Sequence, residues 1–332
     1  MDYPLPISFS RSVIEKIPRP ILTVGLGTLI ILLGLYSVTE SIYPTGMLIG
    51  FQDPLEATGL FLLFSFLPAY LLGGLIAQVR ATPGIVSALS AILAVEHHPT
   101  LLQMDRVKYW QLGMLVGLIN AMAANIPWSA LVLDPGTPGF IFSLTLVFAQ
   151  CFTWSVVGLV LAAGLHNAFV LYRVGQLVDI DIFNLDTLNP FGQSGLRSML
   201  IIVGALALMP LQAIDQEFRW VNYQNGILVG VPAIFLLMLV PNWSVHKRIR
   251  AEKQQELEKL DAAIYATPRT LGDESLNRLN ALLQRRHLVA HLRNWPMDFS
   301  LVARVVFYVL IPPLAWSGAA LVELGLDSYL AG

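Results

Sequence analysis

Seven stretches of this chain are apolar over about the roughly 20 residues that a helix needs to cross a bilayer: 21–38, 58–79, 111–132, 140–165, 198–214, 226–243 and 300–323. The runs are continuous rather than alternating, which excludes the strands of a membrane β-barrel. Only 13% of residues are charged, where soluble domains carry about 25%. The fold class read from this is all-α: a polytopic membrane protein with seven transmembrane helices.

Lys and Arg stay on the cytoplasmic side of a membrane protein. With the N-terminus inside, every Lys and Arg except Arg219 falls on that side, so the expected orientation is N-in and C-out. Residues 1–20 then form a cytoplasmic N-terminal segment with no small-residue cleavage site after it, and 299–332 form the seventh span and a short outer C-terminus. The apolar stretch near 84–96 is short for a span. It is expected as a separate surface or re-entrant helix, capped by Thr82 and with Pro83 in its first turn.

One long stretch, 244–298, could not sit in lipid. Val245, Ile249, Leu257, Leu260 and Ile264 recur at helical spacing, TPRTLGD at 267–273 breaks the pattern, and Leu276, Leu279 and Leu283 resume it. The spacing predicts an antiparallel helical hairpin between spans six and seven, on the cytoplasmic side. Its expected docking partner is the segment 176–197, where Asp179, Asp181 and Asp186 would face Lys247, Arg248 and Arg250.

Between their ends the spans carry no Asp, Glu or Lys. Ion-coupled transport needs membrane-embedded ionisable groups, so active secondary transport is disfavoured. Asn120, Asn125 and Gln150 remain as neutral polar groups that either hydrogen-bond between helices or line a pore. Gly113, Gly117 and Ala121, and likewise Gly226 and Gly230, give small-residue ridges suited to close packing, expected within one chain. The Pro312–Pro313 pair marks span seven as the candidate hinge.

Two constellations could carry chemistry. Gly192-Gln193-Ser194-Gly195 resembles the nucleophile loop of rhomboid-type intramembrane serine proteases, with His166 or His246 as the base. The residues around those histidines do not follow the rhomboid pattern, and helix-start glycines explain the string equally well. His287 and His291 stand four apart on one face, the spacing of two metal ligands, but without an intervening Glu or an evident third ligand. Cys151 lies inside an apolar run and reads as a core residue. No cofactor motif is present.

DIFNLDTLNPFGQSGLR, VPNWSVHKRIRAEK and NWPMDFSLVARVVFYVLIPPLAW, all in the C-terminal half, resemble blocks of a widespread family of uncharacterised prokaryotic multipass inner-membrane proteins. The resemblance implies a bacterial inner (plasma) membrane location and no particular activity. Together these readings give a passive or gated conduit whose hairpin serves assembly or gating. The alternatives are a sensor or scaffold whose hairpin docks a partner, and an intramembrane serine hydrolase. An enzyme is the less favoured class. The expected partners are the lipid bilayer, a second copy of the chain, or another membrane or cytoplasmic protein, and not a nucleic acid.

Overall fold

The computed structural model describes residues 17–42, 54–126, 128, 131, 134–213, 220–267 and 273–296, together with isolated positions between 303 and 318. Its main elements are α1 (Pro20–Ile42), α2 (Pro54–Ser90), α3 (Val107–Asn120), α4 (Pro138–Leu177), α5 (Asn189–Ala207), α6 (Trp220–Ala266) and α7 (Asp273–His291). Shorter helical turns connect them, and no strand occurs among the described residues. Proline opens α1, α2 and α4 at the first helical position, where its missing N–H costs nothing and its φ is already helical.

Five helices are long and apolar enough to cross a membrane, with candidate spans at Pro20–Thr39, Gly59–Ser90, Gly139–Leu177, Leu185–Leu211 and Tyr223–Ala266. They contain the expected spans one, four and six, and nearly all of spans two and five. The third expected span differs. α3 gives way to a π-helical turn at Ala121–Asn125 and ends at Ile126, which is extended. That conformation suits the residue before Pro127. The seventh expected span, including Pro312 and Pro313, lies largely outside the described residues.

The separate helix expected near 84–96 does not begin at Thr82. α2 runs unbroken through Pro68 and Pro83 to Ser90. Thr82 is interior, and its Oγ1 donates to the Gln78 carbonyl at 3.2 Å. The carbonyl that Pro83 leaves without a helical donor is that of Val79, and the helix continues past it.

At 1.5 Å per residue α2, α4 and α6 are about 55, 60 and 70 Å long, more than the roughly 40–45 Å of a bilayer with its headgroups. The excess is used at one end. A first core joins Leu67, Leu71 and Leu75 of α2 to Val160 of α4, Met199 and Val203 of α5, and Leu237 of α6. A second core, farther along the same helices, joins Leu89 of α2, Leu171 and Val174 of α4, and Ile180 to Phe191 around the start of α5. To these it adds Val245, Ile249 and Leu260 of α6 and Val289 of α7. The apolar stripe of the polar stretch is therefore buried against the ends of the apolar helices. A third, small core packs α1 onto α2 and α4 through Tyr36, Phe61 and Phe142.

Small residues set the tightest crossings. A Cβ on Gly113 or Gly117 would collide with α4 at Gly158 or Trp154, so α3 and α4 touch backbone to backbone. Gly226 and Gly230 face Met209 and Leu206. Both ridges are thus used inside the chain.

Candidate functional site

α7 runs back along the polar half of α6. Arg285 pairs with Glu256 at 2.8 Å, Arg286 with Asp261, and Lys253 Nζ donates to the Leu292 carbonyl at 2.8 Å. The Asp261 carboxylate beside Arg286 raises that guanidinium's pKa further. Beyond α7, the Asn294 carbonyl lies 2.7 Å from His246 Nδ1, and the Trp295 ring stacks on the same imidazole at 4.2 Å between centroids. These contacts fix the arm to α6 from its tip to its base.

The acidic segment meets this arm by a different set of residues from the one expected. Asp186 pairs with Arg293 at 2.6 Å. Asp181 Oδ1 accepts from its own neighbour's amide, Phe183 N, at 2.9 Å, a local turn. The Asp179 amide donates to the Ile92 carbonyl at 3.4 Å. Arg248 is drawn instead to the last turn of α4, where it donates to the Gln176 carbonyl at 2.8 Å. That carbonyl belongs to the negative end of the α4 dipole and has no helical partner, so it competes well for a guanidinium. Lys247 lies over the Trp243 ring at 5.7 Å, and Arg250 is exposed. Arg285 also covers the Phe183 ring at 5.7 Å. The segment is thus held between α4 and the returning part of the arm, with Ile180, Ile182, Leu185 and Leu188 buried beneath.

Ser194 lies within α5 and is buried. The two histidines named with it are bonded elsewhere: His166 Nε2 lies 2.7 Å from the Gln103 carbonyl, and His246 Nδ1 lies 2.7 Å from the Asn294 carbonyl. Gly195 of the same string has a packing role. Pro241 has no N–H for the Leu237 carbonyl, and a Cβ at Gly195 would stand only 3.1 Å from that oxygen. Glycine therefore lets α5 close onto α6 beside the proline, where buried Asn242 donates to Met238 O at 2.7 Å.

Of the neutral polar groups, Asn125 joins two helices. Asn225 of α6 donates to Asn125 Oδ1 at 3.0 Å, and Asn125 donates to the Asn120 carbonyl at 3.1 Å, inside the π turn. Gln150 is half-buried on α4. His287 and His291 have ring centroids 4.1 Å apart, and His291 Nδ1 lies 2.8 Å from the His287 carbonyl. No group of three metal-ligating side chains forms among the described residues.

One polar cluster escaped the sequence reading. Asn167 Nδ2 donates to Asp105 Oδ1 at 2.7 Å, and the Asp105 amide donates to Asn167 Oδ1 at 2.9 Å. Both residues are buried. Asp105 takes a left-handed φ of 55°, which Asp tolerates better than most residues. Next to this clasp the Tyr109 ring stacks on His166 at 4.0 Å. The loop ahead of α3 is thereby pinned to α4 by three hydrogen bonds and a ring pair. His166 was visible as a histidine, but nothing in a single sequence links Asp105 to a residue 62 positions away.

No family model, curated protein or solved structure matches the chain.

Proposed function

We propose that this chain is a multipass protein of a bacterial inner membrane, with seven spans, N-in and C-out, acting as a sensor or scaffold. In this reading its cytoplasmic arm, α6 beyond Val245 with α7, presents a docking surface to a partner protein. One observation carries the reading: α6 is unbroken from the apolar span into the arm, and the arm's inner face shares a core with the ends of α2, α4 and α5. A shift of the spans against one another would move the arm as a body. The outer face remains exposed, with Asn280, Gln284 and His287 on α7 beside Leu276, Leu283 and Leu288.

The conduit reading is less well supported, because Asn125 is engaged in a helix-to-helix bond rather than left as an open polar lining.

Purified protein in liposomes separates the two. The scaffold reading expects no solute flux under ion or osmotic gradients. It also expects photocrosslinkers at Asn280 and Gln284 to trap one discrete protein in cells, while a crosslinker at buried Val289 does not. Flux that disappears when the arm is disrupted would establish the conduit instead.

A further inference from the structure

We propose that the rim where α3 begins beside α4 binds an anionic phospholipid: Arg106, Lys108 and Arg173 take the phosphate, and the Tyr109–Leu112–Val116–Ile119 stripe carries an acyl chain. The first support is unbalanced charge. All three cations are exposed and none makes an ion pair among the described residues. The adjacent carboxylate, Asp105, is buried and already accepts from Asn167.

The second support is convergence on one place. Arg173 shares a face of α4 with His166 and Ala162, at helical steps of seven and eleven residues. Arg106 precedes α3 and follows Asp105, which is clasped to Asn167 beside His166. Lys108 is exposed on the first turn of α3, next in sequence to Tyr109, whose ring stacks on that imidazole.

Depth is the third support. From Pro138 to His166 α4 rises about 42 Å, close to the full thickness of a bilayer with headgroups. Arg106, joined through Asp105 to Asn167, stands near that level, and Arg173, about 10 Å farther along α4, stands at its outer edge with its side chain long enough to reach back. Below them Tyr109, Leu112, Val116 and Ile119 are 38%, 57%, 57% and 57% exposed, at steps of three and four along α3. A soluble phosphate would use the cations but not this stripe, which favours a lipid as the occupant. Clusters of basic residues at this level of a membrane protein attract anionic lipid.

The test uses the full chain in neutral detergent, with native mass spectrometry and thermal unfolding as readouts. The probes are dioleoyl phosphatidylglycerol, dioleoyl phosphatidylcholine and inorganic phosphate. Phosphatidylglycerol is expected to bind saturably and to raise the unfolding temperature more than phosphatidylcholine. Arg106→Gln, Lys108→Gln and Arg173→Gln together should weaken it by roughly 100-fold, at about fivefold per cation. Lys259→Gln with Arg278→Gln, on the arm, should leave it unchanged. Val116→Ser with Ile119→Ser should weaken the lipid alone. If the triple variant unfolds early without lipid, single Arg173→Gln at the exposed end of α4 replaces it, with a fivefold loss expected.

Equal binding of the two lipids, or an equal loss in the arm variant, would overturn the proposal. So would an inorganic phosphate effect as large as that of lipid and indifferent to the stripe.

Discussion

The Asp186 carboxylate accepts a 2.6 Å hydrogen bond from the Arg293 guanidinium, closing 107 residues of chain. The pair joins the segment between α4 and α5 to the residues just past α7, and it tells how the arm is held. Its side chains are 76% and 31% exposed, so the pair gives direction more than strength. Asp186→Ala should cost no more than about 1 kcal/mol, and less at high salt. Chemical unfolding in detergent at two salt concentrations checks this. The swap of Asp186→Arg with Arg293→Asp should recover most of what either single reversal loses.

Strength should instead come from the apolar contacts beneath. Phe191 is fully buried where α5 starts, against residues of the second core. Phe191→Ala should cost about 3–5 kcal/mol, measured as a fall in the unfolding midpoint. Tyr265→Ala, at an 84% exposed position near the arm's tip, should fall within about 0.5 kcal/mol of the parent.

The clasp of Asp105 and Asn167 should behave as a coupled unit. Asn167→Ala leaves a buried carboxylate without its donor and should cost about 1.5–3 kcal/mol. Asp105→Asn keeps the left-handed backbone accessible and should cost less than Asp105→Ala. A double-mutant cycle of the two alanine variants should show a coupling above about 0.5 kcal/mol. Additive losses would show that the two residues act separately.

At the seam of α3 and α4, Gly117→Leu should prevent normal packing, since the added side chain would meet the Trp154 backbone rather than a flexible neighbour. Gly27→Ala is the control, because a Cβ there meets nothing within 4 Å. Glycosylation or cysteine-accessibility mapping of α3 should change for the first variant and not for the second.

Much of the architecture was legible in hydropathy alone. Spans one, two, four, five and six come through because a 20-residue apolar run has few fates other than a helix in lipid. The register of the polar helices was also legible: Val245, Ile249 and Leu260, placed on one stripe by spacing, are all buried in the second core. Boundaries set by proline were not. Pro83 reads as a helix start, yet α2 passes through it. The docking partners were missed for a different reason. Lys247, Arg248 and Arg250 are close in sequence to the end of a span, but Arg248 is claimed by the open carbonyl of Gln176. Such a backbone acceptor leaves no mark in the sequence. Arg293 lies 45 residues farther on than Arg248 and is brought to Asp186 by the turn back of α7.

The central claim is that the arm and the ends of the membrane helices form one cooperative unit. Amide hydrogen exchange on the full protein, with and without Phe191→Ala, tests it most directly. One unit predicts that the substitution speeds exchange together at Val245–Ile249 of α6, around Val289 of α7 and at Leu89 of α2, although only Phe191 is changed. Faster exchange confined to the start of α5, with the arm's protection unaltered, would contradict it.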